Sequence, residues 1–306
     1  MQEINDKFAE ADKLSEKLIS STEKELVKQY SLSLKNIRSQ LQAIYEKFGD
    51  DVSFADMQKF NRFNSLEKAI MDEIKFLYKA NAKALNESLF EQFAESYYRT
   101  AFALETGKQV ALAYTLLNPD VIKAAIINPV SGLTLPERLE KNRTDIIYRI
   151  KSDIAQGLIQ GEGYSKMAKR VKETLEGDVS KAIRVVQTEA HRVQQEGRLQ
   201  SMKHAESKGV NMVKVWDASL DSRTRSSHRK LDGVKVGLDD DFTSPSGGKG
   251  KIPGSLGSAK DDVNCRCSVR TEIISYEPTV RRARDERGKS VLIPYTTYDE
   301  WEKNRL

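Results

Sequence analysis

At 306 residues the chain is long enough for one large domain or two ordinary ones, with a sizeable buried core. Fifty basic against 45 acidic side chains leave a net charge of +5, and 31% of residues are charged, a mixed and mildly basic balance that excludes the one-sided excess of a nucleic-acid coat. No apolar run approaches the roughly 18 to 20 residues of a bilayer crossing, Met1 to Leu18 lacks the apolar stretch and cleavage site of a secretion signal, and Cys265 and Cys267, the only cysteines, stand too close together for disulfide scaffolding. These features are those of a protein made and kept in a reducing cytoplasm.

The chain opens as helix almost throughout. Tyr30, Leu34, Ile37, Leu41, Ile44 and Phe48 step alternately by four and three, the seam of a coiled-coil-like helix, which Gly49 to Asp51 then stops. Ser53 with Asp56 has the form of a capping box. Beyond it Phe63, Leu66, Ile70, Ile74 and Leu77 keep one face, and Leu85, Leu89, Phe93 and Tyr97 keep a four-residue step. Unbroken from Phe54 to Tyr114, that helix would run about 90 Å at roughly 1.5 Å per residue. The stripes serve either packing within the chain or docking on the helices of another protein.

Asn118-Pro119 and Asn128-Pro129 bracket a short helix, and Thr134-Leu135-Pro136-Glu137 has the residue types of a new helix start. One helix is expected to end near Gly157, another to run from Ser165 to about Leu175, and a third to start at an Asp178 cap and end at Gly209. Arg184, Thr188 and Arg192 share a face of this last helix and Glu189 can pair with Arg192, the pattern of a solvated or interdomain salt-bridge face. His191 and His204 read as surface residues.

After Gly209 the period changes to two. Met212 to Asp217 reads as a strand, Arg223 to Leu231 as a short helix, Val234 to Val236 as a second strand and Cys267 to Ile274 as a third. Between them Gly237 to Asp262 is rich in Gly, Ser, Pro and Lys, and a structureless stretch of about two dozen residues inside a compact domain is either functional or disordered. The tail holds Arg281, Arg282, Arg284, Arg287 and Lys289, then Tyr295, Tyr298 and Trp301. The whole predicts an α+β chain: a long helical N-terminal arm or bundle over 1–153, a small mixed α/β domain with a long Gly-rich loop over 154–275, and a basic, aromatic tail over 276–306.

Asp221-x-Arg223-x-Arg225-x-x-His228, followed far downstream by Cys265-Arg266-Cys267, carries the sharpest chemistry. A Cys-x-Cys pair on an extended segment turns both sulfurs to one face, and His228 brought alongside completes the soft and borderline ligands of a structural zinc site, with Asp221 or water as the fourth. Such a clip would offset the closure entropy of the loop. The same residues also read as two buried reduced thiols beside a hydrogen-bonded histidine. Lys249, Lys251 and Lys260 in the Gly-rich loop and Arg281, Arg282 and Arg284 in the tail can follow phosphates without reading sequence. Lysines in loops equally serve solubility, and Asp239 to Asp241, Asp261 and Asp262 dilute the charge.

The succession Thr188-Glu189, Arg192, Gly209, Trp216-Asp217, Asp221-x-Arg223, His228, Leu231-Asp232-Gly233 and Asn264-Cys265-Arg266-Cys267 resembles the phage Mu F-like head morphogenesis family, the minor head proteins of tailed bacteriophages and prophages. The match runs from about Ile154 to Ile274, and Tyr298 with Glu300-Trp301 resembles a recurrent closing segment. The resemblance implies a virion protein without enzymatic activity, assembled in the host cytoplasm and carried inside the capsid at the portal vertex. Its implied partners are the portal protein, the scaffolding or major capsid protein, and DNA contacted non-specifically during packaging, retention or ejection, with no membrane. Relatives carry Cys-x-x-Cys where this chain has Arg225 and His228, so one ligand is kept and one lost. Two rival readings are a nuclease or nucleotide-modifying enzyme using Glu189, Arg223 and His228, and a portal adaptor that never touches DNA.

Overall fold

The computed structural model describes residues 2–49, 53–58, 61–108, 110–130, 132–219, 221–276, 280–284 and 290–294, with side chains up to residue 275 except those of 2, 3 and 54. The fold is α+β. Helices α1 (Gln2–Phe48), α2 (Phe54–Gln58), α3 (Arg62–Lys108), α4 (Pro119–Ile127), α5 (Leu135–Ile159) and α6 (Tyr164–Ser207) precede strand β1 (Val210–Asp217). Then come α7 (Ser226–Arg229), β2 (Lys235–Val236), β3 (Phe242–Thr243), β4 (Lys249–Gly250), α8 (Ala259–Asp262), β5 (Ser268–Tyr276), β6 (Val280–Arg284) and β7 (Ser290–Pro294). The chain divides into two compact units: one made of Met1–Leu18, Leu89–Gly132 and Thr188–Leu306, the other of Ile19–Ser88 and Leu133–Gln187.

The second unit is helical. The expected seam on α1 is buried: Tyr30, Ile37, Leu41 and Tyr45 pack with Phe63, Leu66, Ile70, Ile74 and Leu77 of α3, with Ile146, Ile150, Ile154 and Leu158 of α5, and with Met167, Val171 and Leu175 of α6. These stripes are therefore spent inside the chain's own core, and a partner docking here would have to use other residues, such as the exposed Phe76, Tyr148 and Ile159. Both capping signals are realised. The Ser53 Oγ accepts from the Asp56 N–H at 3.2 Å while the Asp56 carboxylate accepts from the Ser53 hydroxyl at 2.6 Å, and Thr134 with Glu137 forms a full capping box at the head of α5.

Two helix boundaries differ from expectation. The long helix is broken: α2 stops at Gln58, Asn61 takes a left-handed φ of 60°, and α3 ends at Lys108, well short of Tyr114. At 47 residues α3 is about 70 Å long. Conversely, α6 runs unbroken through Gly177 and Asp178. Asp178 does not cap a helix. It accepts hydrogen bonds from the buried hydroxyls of Tyr30 at 2.6 Å and Tyr78 at 2.8 Å, and burial holds its carboxyl above the usual carboxylate range against the pull of those two donors. Gly177 in the helix interior weakens it by roughly 0.5–1 kcal/mol relative to Ala, yet the helix continues through it.

In the first unit, an antiparallel sheet in the order β2-β1-β5 carries the core. Lys214 pairs with Val236 and with Thr271, Trp216 with Val269, and a bulge at Asn211/Met212 bends the end of β1. Ile4 and Phe8 of α1, Ala103 and Leu104 of α3, and Leu199, Met202 and Ala205 of α6 pack with Val210, Met212 and the fully buried Trp216. Gly197 lets α6 approach α3 closely, since a Cβ there would lie 2.5 Å from the Phe93 carbonyl oxygen.

The Gly-rich segment is neither structureless nor disordered. Phe242 pairs with Gly250 and Thr243 with Lys249 in a β3–β4 hairpin, and Phe242, Ile252 and Leu256 enter the core. Two buried carboxylates organise it. Asp262 accepts from the Leu256 N–H at 2.7 Å and the Ser258 N–H at 3.0 Å, and Asp261 accepts from the hydroxyls of Ser244 and Ser246. The buried Lys214 amine donates to the carbonyls of Leu238 at 2.9 Å and Asp240 at 2.6 Å, and burial pushes it down to about 8. These partners lie 24 and 26 residues from the lysine, so no local pattern announces the loop's order. Strands β6 and β7 form a separate hairpin in which Arg282 stands opposite Leu292 and Arg284 opposite Ser290.

Candidate functional site

His228, Cys265 and Cys267 converge, all three buried, with their donor atoms within 4.8 Å of one another. His228 Nδ1 lies 3.4 Å from the Cys267 sulfur and 3.7 Å from the Cys265 sulfur. The ring sits at the end of the short α7, and the indole of Trp216 packs edge-on against it with centroids 5.4 Å apart. Its other nitrogen, Nε2, is 3.4 Å from an Asp261 carboxylate oxygen, within ion-pair distance but outside hydrogen-bond geometry, and so has no hydrogen-bond partner.

The Cys-x-Cys segment is aimed by backbone contacts from α6. Asn264 adopts a left-handed φ of 54°, which turns the chain between α8 and the thiols. Its N–H donates to the Thr188 hydroxyl at 3.1 Å, the Cys267 carbonyl accepts from His191 Nε2 at 2.7 Å, and Val269 is held by Gln195 on its N–H and by Arg198 on its carbonyl. Arg225 reaches the same loop from α7 and donates to the carbonyls of Asp261 and Val263. The two sulfurs act on each other: Cys265 is pushed above the usual thiol range by the neighbouring Cys267 sulfur and by burial, and Cys267 is drawn below it by the Cys265 sulfur and the imidazole.

The remaining expected residues fall elsewhere. Asp221 is not among the donors that converge with His228, Cys265 and Cys267. Its carboxylate forms a bidentate pair with Arg266, at 2.5 and 2.7 Å, which holds it well below the ordinary carboxylate range. Glu189 and Arg192 do not form a solvated face: both side chains are buried, with Arg192 Nη2 3.0 Å from Glu189 Oε2. Arg192 also donates to the Ala125 and Ile126 carbonyls at the C-terminal end of α4. With Glu189 committed to Arg192, His228 1% exposed and Arg223 out in solvent, the three residues of the enzymatic reading are not gathered at one open cleft. His191 and His204 are half-buried, each with Nε2 at a backbone carbonyl, the latter against Tyr114 and 2.9 Å from the Leu112 carbonyl. Sequence reasoning missed His191, Gln195 and Arg198 as supports of the thiol segment. Their i, i+4 and i, i+7 spacing on α6 was the available signal.

Among the basic residues, Lys249, Lys251 and Lys260 are all exposed. Lys251 leans on Asp239 at 3.6 Å, while Lys249 and Lys260 have no acidic partner among the described residues. Arg281, Arg282 and Arg284 lie on β6, whose side chains are outside the described residues, as are Tyr295, Tyr298, Glu300 and Trp301 altogether. Among the described residues no helix is long and apolar enough to cross a membrane.

Residues 148–270 match the family model described as phage Mu protein F-like protein. The minor head protein GP7 of Bacillus phage SPP1 is 41% identical over 298 residues, a match covering 97% of this chain and 96% of that protein. An Enterococcus faecalis protein named NAD(+)–arginine ADP-ribosyltransferase EFV is 29% identical over 310 residues, spanning the whole of this chain but 62% of that protein. No solved structure matches the chain. A match that runs nearly end to end through a minor head protein, with the family region centred on the helix, sheet and thiol segment just described, places this chain in the phage Mu F-like head morphogenesis family of bacteriophage minor head proteins.

Proposed function

We propose that the chain is a non-enzymatic minor head protein that sits inside the capsid at the portal vertex and contacts DNA non-specifically during packaging, retention or ejection. The observation that carries this reading is its likeness to a minor head protein over 96% of that protein's length. More than a third of the transferase-named relative has no counterpart here, so its name brings no activity to this chain. Contacts with the portal, or with the scaffolding or major capsid protein, would draw on apolar side chains left in solvent, among them Phe102 and Leu116 in one unit and Phe76 and Tyr148 in the other.

DNA contact would fall to Lys249, Lys251 and Lys260 and to the arginines of β6. Each lysine that neutralises a phosphate releases counterions and steepens the salt dependence of binding by about 0.9 in log–log slope. The full chain should therefore be held on duplex DNA at low salt and released as salt rises. Replacing Lys249, Lys251 and Lys260 together by Gln should flatten the slope by up to about 3 without sequence preference. No retention even at low salt would instead support an adaptor that never touches DNA, whereas retention that ignores salt would show that these lysines do not carry the contact. The enzymatic alternative predicts turnover of DNA, RNA or NAD that is lost in His228→Ala.

A further inference from the structure

We propose that His228 Nδ1 and the sulfurs of Cys265 and Cys267 form a structural site for a thiophilic divalent metal of the zinc class. The spacing itself argues for it. In a tetrahedral site with Zn–S near 2.3 Å and Zn–N near 2.0–2.1 Å, a sulfur and a nitrogen ligand stand about 3.5 Å apart. The two sulfur-to-Nδ1 separations, 3.4 and 3.7 Å, bracket that edge.

The second imidazole nitrogen supplies an independent observation. A histidine that ligates through Nδ1 must carry its proton on Nε2, and metal-bound histidines hand that N–H to a carboxylate or carbonyl. Here Nε2 is buried, lacks a hydrogen bond, and lies 3.4 Å from an oxygen of Asp261. That carboxylate is fully buried and fixed by the Ser244 and Ser246 hydroxyls. A small rotation of the ring onto a metal would let Nε2–H meet Asp261, relieving an orphaned polar atom and orienting the ligand at once.

Burial of all three donors leaves no approach for a substrate, so the proposed role is structural, although three protein ligands with water in the fourth place is also the donor count of a catalytic zinc. Protein side chains fill three positions and leave the fourth to water. The metal would join α7 to the segment entering β5, closing the chain between residues 228 and 265 around the β3–β4 hairpin. Arg225, one turn before His228, supports the same junction without metal through the Asp261 and Val263 carbonyls. This site does not depend on whether the chain contacts DNA.

The test is metal analysis of the full chain purified without chelator, together with titration by Co(II). The expected result is about one zinc per chain, sulfur-to-cobalt charge-transfer absorption with intense tetrahedral d–d bands, and a melting temperature lowered by chelator and restored by zinc. Cys265→Ser with Cys267→Ser should abolish both the metal and the thiolate bands. Asp261→Asn keeps all three ligands and should weaken affinity by about 10–100-fold. This second variant keeps the proposal open to refutation if the serine variant fails to fold. Metal-free protein whose melting ignores both chelator and zinc would overturn the proposal, as would zinc retained unchanged in the double serine variant, or unaltered affinity in Asp261→Asn.

Discussion

Arg192→Ala should destabilise the chain by about 3–5 kcal/mol, the cost of breaking a buried ion pair from one side. The guanidinium is 1% exposed and carries four contacts: Nε and Nη2 to the same Glu189 oxygen at 3.1 and 3.0 Å, Nη1 to the Ala125 carbonyl at 2.8 Å, and Nη2 to the Ile126 carbonyl at 3.2 Å. Truncation deprives a buried carboxylate of its cation and two carbonyls at the C-terminal end of α4 of their donor. The asymmetry is diagnostic. Removing both charges, as in Glu189→Leu with Arg192→Met, should recover a large part of the loss, because the desolvation penalty disappears along with the attraction. Urea unfolding of the two singles and the double closes the cycle, and additive losses would show that the pair is not coupled.

Gly250→Ala should cost at or above the upper end of the roughly 1–3 kcal/mol typical of overpacking. A Cβ at this position would stand 1.8 Å from the Ser255 carbonyl oxygen and 3.1 Å from Leu256 Cα, both backbone atoms that cannot swing aside as a side chain can. The hairpin must open, and with it the return of the Lys249 N–H to the Leu256 carbonyl and the support of Leu256 by Asp262. Near-UV circular dichroism should register the change, since Trp216 packs against both Phe242, the partner of Gly250, and His228. By contrast Gly247, where a Cβ meets nothing within 4 Å, should pay only for its left-handed φ of 98°. Equal effects at 247 and 250 would show that backbone conformation rather than close approach governs the loop.

What the sequence disclosed follows from the range of the forces involved. Seams such as Tyr30, Ile37 and Leu41, and the Ser53 and Thr134 capping boxes, are local patterns, and they emerge as buried faces and helix starts. The meeting of His228 with the thiols was legible because Cys-x-Cys sets two donors by itself and its chemistry calls for a third, although the histidine lies 37 residues upstream of Cys265. Asp178 misled because a helix cap and a buried acceptor call for the same residue type, and its tyrosine partners lie 148 and 100 residues away. The Gly-rich segment misled for the same reason. Asp261 and Asp262 read as charges diluting the loop lysines, yet each is committed to a backbone or hydroxyl group that only the fold brings near, and Lys214, from within β1, holds two loop carbonyls. The Glu189–Arg192 spacing announced a pair but not its burial.

We propose that this minor head protein acts on the genome from within the head. This is tested most directly by removing the chain from an otherwise intact phage and measuring infectivity per DNA-filled particle. The expected result is heads of normal appearance that retain or deliver DNA abnormally and infect less efficiently. Unchanged DNA retention and infectivity in particles shown to lack the protein would contradict the account.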